Sequence, residues 1–380
     1  MTNITHAPLP SWKYLAKMLL SNPTNSELAG PWQQDNEKCF WFSRSSWSLY
    51  AIALYRIQKF NKKNILIWIP GYFCNASLAS LRELGVNFQF YPLLSNGKPD
   101  IEICEKMLKS HPPDIIIFVH FFGKPFYSKD LVHLAKNNNA WLVEDCAHCL
   151  KPEKGIGNIG DFVLYSQHKS LSLPDGALML MRNDGPSNLI NINFGDLYRS
   201  LSITNFSSFY YSFKWLAKRI LQKLGVRSAL VNTDFLNDST EINSEFISNP
   251  MMSYLARKML MQIIPDLNME MKVRKRNALQ WKLSLESYPY AILDTLPIFE
   301  NHTPYLAGLQ VATKQQAEKI FHCLQDANIP VTTWPDLPHE VLSNTLIHKV
   351  SIEMQNTTLF FPVHSSINSK KIMKALLCSQ

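Results

Sequence analysis

Asp145 and Lys169 are the two side chains whose types and spacing could do chemistry together. Asp145 follows the apolar stretch 140–143 in Val143-Glu144-Asp145-Cys146-Ala147-His148, and Lys169 follows 162–165 in Ser166-Gln167-His168-Lys169. Both segments read as strands that end in polar residues, about two dozen residues apart. Alone, Lys169 reads as a loop lysine and Asp145 as a helix cap. Together, at neighbouring strand ends, they meet the needs of pyridoxal phosphate. The amine forms a Schiff base, and the carboxylate keeps the pyridine nitrogen protonated so that the ring accepts electrons. Ser166, three residues before the lysine, offers a hydroxyl to the cofactor phosphate.

Two other stretches join this pair. Ser43-Arg44-Ser45-Ser46 precedes a run, 47–60, with apolar residues at helical spacing, which is a helix-start signature. Free N–H groups and the dipole at such a start bind phosphate, making Ser45 and Ser46 candidates for the phosphate cup. Pro70-Gly71-Tyr72-Phe73-Cys74 follows a short apolar run, 65–69, so the Tyr72 ring could lie on a cofactor face. Its plainer reading is a turn with buried aromatics.

These residues need a scaffold. Strands are predicted at 65–69, 86–91, 114–121, 140–143, 162–165 and 177–181, with helices at 77–84, 101–109 and 128–136. Such alternation implies an α/β fold with a mostly parallel sheet covered on both faces. Ligands in these sheets lie beyond the carboxyl ends of the strands, where Asp145, Ser166 and Lys169 fall. Residues 183–248 lose the alternation and carry a basic amphipathic helix, 206–224, closed by Gly225. Its Phe209, Phe213, Leu216 and Ile220 face is expected to pack on the protein. Contact with a membrane surface or a partner is the alternative, because Lys214, Lys218, Arg219, Lys223 and Arg227 cluster there. The chain is helical again over 250–288, and 306–377 reads strand, helix, strand, helix. The predicted organisation is a large cofactor-binding domain, 1–255, with 183–248 inserted, and a smaller C-terminal α/β domain, 256–380.

Composition bounds the reading. In 380 residues, 46% are hydrophobic, which excludes a disordered chain. No apolar run approaches the ~18 residues of a membrane span, and the polar start is unlike a signal peptide. Seven cysteines without a regular framework suit a reducing compartment, and a cytoplasmic location is expected. The net charge of +8 suits anionic partners, but outside 214–227 the cations are scattered and no nucleic-acid motif accompanies them.

The ordered set of motifs resembles the DegT-type (DegT/DnrJ/StrS) sugar aminotransferases, a branch of the fold-type-I pyridoxal phosphate enzymes. Pro70 to Cys74 with Gly85 is similar to the family's strand–helix unit, and His120-Phe121-Phe122-Gly123-Lys124-Pro125 to its "H-x-Y-G-x-P". Val143 to His148 is similar to "V-E-D-x-A-Q/H", and Ser166 to Lys169 with Pro174-Asp175-Gly176 to "S-x-R-K … P-D-G". Asn249-Pro250-Met251-Met252-Ser253 resembles "N-x-R-M-S", and Phe361-Pro362-Val363-His364 the C-terminal "L-P-L-H". The resemblance implies a fold-type-I homodimer that moves an amino group from an amino acid, glutamate by expectation, to a nucleotide-linked keto sugar. Polysaccharide or secondary-metabolite sugar synthesis would be its setting. It implies Lys169 as Schiff-base lysine and proton shuttle, Asp145 at the pyridine nitrogen and His148 at the ring or its 3-hydroxyl. Ser166 with the Ser45–Ser46 backbone would hold the phosphate, which Asn249 would reach from the second subunit. The chain departs from the family in four places. Ser46 and Trp47 stand where a phosphate-turn glycine is usual, Cys74 where a ring stacks, Met251 for an arginine and Ala177 for a glycine.

Ser166-Gln167-His168-Lys169 is also similar to the "S-x-H-K" of cysteine-desulfurase-like enzymes. Those need a reactive cysteine on a mobile loop, whereas Cys323 falls in a predicted helix and Cys378 three residues from the end. Cys146-Ala147-His148-Cys149 is a C-x-x-C without a second pair at zinc spacing. A non-catalytic protein that keeps the fold is the third reading, and the presence of Lys169 weighs against it.

Overall fold

The computed structural model describes residues 5–18, 21–126, 128–189, 192–202, 207–226, 234–236, 249–286, 292–295, 302–334 and 336–367. Its large sheet contains β1 (Glu37–Phe42), β2 (Leu66–Pro70), β3 (Asn87–Tyr91), β4 (Ile115–Val119), β5 (Trp141–Cys146), β6 (Phe162–Tyr165) and β7 (Ala177–Arg182). The strand order is β1-β7-β6-β5-β4-β2-β3. Pairings from β3 through β6 are parallel, while β7 runs antiparallel to both β6 and β1. All residues of β4, β5 and β7 are buried, as expected of strands covered on both faces. Along β7 the pleat divides the core. Met179 and Met181 join the cluster under α3 (Ser45–Phe60), and Leu178 and Leu180 join the one that holds Leu28, Ala256 and Leu260.

The covering helices are short. Before α3 come α1 (Trp12–Lys17) and α2 (Asn25–Ala29); after it come α4 (Ala79–Glu83), α5 (Ile101–Ser110), α6 (Lys129–Asn137), the single turn α7 (Gln167–Ser170) and α8 (Gly195–Leu201). Then follow α9 (Ser207–Lys223), α10 (Tyr254–Ile263) and α11 (Leu267–Glu286). The smaller sheet is antiparallel, β10-β9-β8, from β8 (Ile292–Thr295), β9 (Leu306–Val311) and β10 (Thr358–Pro362). Between β9 and β10 lie α12 (Lys314–Asp326), α13 (His339–Leu342) and α14 (Lys349–Thr357). Trp281, Leu309, Phe321 and Phe361 form the small core. Met259, Leu260 and Ile263 of α10 pack with the large sheet instead, so the change of core falls along α11.

Three expectations change. Strand β1 was absent from the sequence reading; its pairing with β7 makes it a strand. The second strand of the 306–377 tail is β10, but α13 and α14 stand between it and α12, and 368–380 lie outside the described residues. Helix α9 does not pack as expected. It buries Leu216 and Ser212 and part of Trp215, but leaves Phe209 and Phe213 exposed. Within the predicted insertion, 190–191, 203–206, 227–233 (with Arg227) and 237–248 lie outside the described residues. Among the described residues, no helix is long and apolar enough to cross a membrane.

Candidate active site

Strand register assembles the predicted residues. Cys146 pairs with Tyr165, so Ser166 leaves β6 beside the end of β5, where Asp145 sits. Because β7 returns antiparallel, the 166–176 connection stays at this end of the sheet, with Lys169 on α7. Phe42 pairs with Ala177, which brings the end of β1 to the same edge, and α3 starts three residues later. The Gly176 N–H donates to the Ser43 carbonyl at 2.8 Å, fixing that junction. Sequence-distant serines therefore meet: the Ser166 hydroxyl donates to the Ser45 hydroxyl at 2.9 Å.

Helix α3 begins differently from the sequence expectation. No side chain caps it; Ser45 and Ser46 lie inside its first turn, after an extended Arg44. An α-helix leaves its first four N–H groups without intrahelical partners, so an uncapped start beside two hydroxyls can receive an anion. Arg44 donates from Nη2 to the Pro174 carbonyl at 3.2 Å, in the connection that carries Lys169.

Asp145 is buried, and its Oδ1 accepts the Ala147 N–H at 2.8 Å. Burial raises its carboxyl above the ordinary value, while the Lys169 ammonium and the Ala147 N–H pull it down. A buried carboxylate of this kind is stabilised by a nearby cation, which a protonated pyridine nitrogen would provide. Residue types, burial and the uncapped helix thus fit pyridoxal phosphate.

His148 lies in an aromatic box. Its ring is parallel to Tyr305 (centroids 4.5 Å apart, 4° between planes) and close to parallel with Phe122 at 5.6 Å. Burial holds its pKa well below the ordinary histidine value, with Lys169 adding to that, so the ring is neutral. Nδ1 accepts the Phe122 N–H at 3.3 Å, leaving Nε2–H as the donor. Phe122 adopts a left-handed φ of 57°, rare for an aromatic residue, and its ring also stacks on Phe360 at 4.6 Å. The next residue must be glycine: at Gly123, φ 84°, a Cβ would stand 2.3 Å from the Thr303 carbonyl oxygen.

Tyr72 is fully buried and stacks on Trp334 at 4.5 Å, edge-on to Phe121. Its hydroxyl has no hydrogen-bond partner among the described residues, and burial pushes its pKa well up. Asn249 lies beside the chain's own Ser43. Its carbonyl accepts the Ser43 hydroxyl at 2.6 Å, and its side chain accepts the Met251 N–H at 3.0 Å. Sequence reasoning missed Tyr305 and Trp334, which only the packing of the small domain brings to His148.

Below the site, His120 donates from Nε2 to Glu144 at 2.8 Å, since its Nδ1 accepts the Phe126 N–H. Glu144 also receives the N–H groups of Gly157, Ile159 and Gly160. With Cys146 these two side chains form a cluster of metal-binding types, but the Glu144 oxygens are already occupied by protein donors.

Residues 53–192 match the model of the DegT/DnrJ/EryC1/StrS aminotransferase family. That segment is similar to the family over somewhat more than a third of the chain. It contains Tyr72, Asp145, His148, Ser166 and Lys169, whereas Ser45, Ser46 and Asn249 lie outside it. Solved structures share the fold at low identity. Helicobacter pylori PseC, an aminotransferase involved in the biosynthesis of pseudoaminic acid, is 13% identical with a TM-score of 0.71, covering 100% of this chain and 99% of that one. The putative sugar aminotransferase Spr1654 from Streptococcus pneumoniae, in its PMP form, is 14% identical with a TM-score of 0.71, covering 99% of each chain. DesI in the presence of its TDP-sugar product is 13% identical with a TM-score of 0.62, covering 99% of this chain and 92% of that one. No curated protein matches the chain by sequence.

Proposed function

We propose that this protein is a pyridoxal phosphate-dependent aminotransferase that moves an amino group from an amino acid, glutamate in the first instance, to a nucleotide-linked keto sugar. The observation that carries the reading is the meeting of Asp145, Lys169, Ser166 and Ser45 at one end of the sheet. The family segment supports it, since it holds both Asp145 and Lys169. The likeness to DesI, whose structure contains a TDP-sugar product, supports a nucleotide-linked substrate. A homodimer in the cytoplasm completes the proposal, with Asn249 serving the phosphate site of the second copy.

Bound there, pyridoxal phosphate supplies an aldehyde for the lysine and a ring that withdraws electrons. The chain's residues do the rest. Ser45, Ser166 and the first-turn N–H groups of α3 hold the phosphate. Asp145 would keep a proton on the pyridine nitrogen, and the neutral His148 would offer its Nε2–H to the ring or its 3-hydroxyl. Lys169 would hold the cofactor through its amine and serve as the base that takes and returns the proton at the substrate carbon. Among the described residues a desulfurase reading finds no support, since Cys323 is exposed on α12, a regular helix; Cys378 lies outside them.

The test is an absorbance scan of purified protein given excess cofactor. Wild type is expected to show a visible band that Lys169→Ala lacks, with turnover lost in the variant. A colourless wild type would end the proposal. The sugar is then identified by supplying keto sugars to the amino form of the cofactor and watching the band return.

A further inference from the structure

Helix α9 presents an apolar band whose large side chains Phe209, Tyr210, Phe213, Leu221 and Leu224 are exposed. Viewed down the axis, Phe209, Phe213, Ala217, Leu224, Tyr210 and Leu221 share one third of the circumference. Phe209, Phe213 and Leu224 are 68%, 62% and 59% exposed. Ser212, Leu216 and Gln222 face the protein, Leu216 at the edge of the band, and Ile220, between Phe209 and Phe213, is half-buried. Exposed large rings at this density are unusual on a soluble surface and mark an interaction face.

Charge distinguishes the occupants. Lys214 and Lys218 are exposed along one edge of the band, and Lys223 lies on the other, its ammonium 5.5 Å from the ring centre of Trp12, itself half exposed. Residues 207–226 contain no Asp or Glu. A symmetric contact with a second copy would bring these cations against themselves, since such an interface uses the same patch twice. An anionic bilayer would instead accept both features, apolar rings at headgroup level and lysines at the phosphates. We propose that α9, with Trp12 beside it, seats this protein on an anionic phospholipid surface. The inference is independent of the amino-transfer reading.

The full-length, cofactor-loaded protein is sedimented with vesicles of phosphatidylcholine alone or mixed with phosphatidylglycerol. Binding is expected to the mixed vesicles only, and to fall in high salt. Lys214→Gln with Lys218→Gln should weaken it about 25-fold, from about fivefold per cation. Phe209→Ser with Phe213→Ser should weaken it roughly tenfold or more. Both pairs alter exposed positions, so the circular dichroism spectrum and melting temperature should match wild type. Wild type that ignores both vesicles would overturn the proposal, as would variants that bind like wild type. A ring variant that dissociates a wild-type dimer in sedimentation velocity would assign the face to a second copy instead.

Discussion

A carboxylate placed where water cannot reach it needs a reason, and Asp145 has one in the cation it would face. Burial raises its pKa while Lys169 opposes the rise, so the ionised form depends on positive charge nearby. Asp145→Ala should therefore lower amino transfer on the order of 10²–10³-fold, the cost of removing charge stabilisation from a desolvated site. Steady-state turnover with saturating cofactor measures it, and near-wild-type rates would remove Asp145 from its role. Ser45→Ala should weaken cofactor retention by roughly ten- to a hundredfold, the range of one hydrogen bond to a charged group, read by absorbance titration. Asp145, Lys169 and Ser166 were legible in the sequence, because a polar residue ending an apolar run marks a strand terminus. Phe122, Tyr305 and Trp334 were not, since an aromatic residue reads as core until its neighbours are known.

At the scale of elements, the turns around β5 rest on one buried group. Burial alone would raise Glu144, but the His120 hydrogen bond and the N–H groups of Gly160 and Ile159 outweigh it and hold its pKa low. Glu144→Ala leaves His120 and three backbone donors without their acceptor, and should lower unfolding free energy by roughly 3–5 kcal/mol, measured by urea denaturation. The sign follows from the depressed value. This stabilisation is present above the ordinary carboxylate pKa and is lost as pH falls through the lower folded one. Periodicity exposed the apolar strands and α9, but not β1 or the covered side of α9. Strand β1 carries Glu37 and Lys38, and it exists through its ladder with β7 and the approach of Arg182 Nε to Glu37 at 3.3 Å. A helical pattern says that an apolar stripe exists; which stripe is covered depends on what lies next to it.

In the whole molecule, both ends of the described chain meet on the small domain. His364 Nε2 donates to the Thr5 carbonyl at 2.9 Å, and Leu9 N–H donates to the Ser366 hydroxyl at 2.8 Å. Burial, aided by Arg274, lowers the His364 pKa from 6.5 to about 3. The unfolded chain takes up that proton below 6.5 and the folded one does not, so stability should fall as pH drops from 6.5 toward 3. Melting temperatures across that range should show a shallower decline in His364→Phe than in wild type.

The sequence by itself determined the alternation of strands and helices, the strand-end carboxylate and lysine, and the family resemblance that joins them. Those are local properties, written in periodicity and in the residue that ends each run. The tertiary structure decided that β1 lies beside β7, so that Ser45 meets Ser166 across 121 positions of sequence. It also decided that Tyr305 and Trp334 enclose His148, and that Phe209 and Phe213 look outward. Such pairings depend on strand order and on which surfaces a neighbour covers, and neither is encoded within a single element.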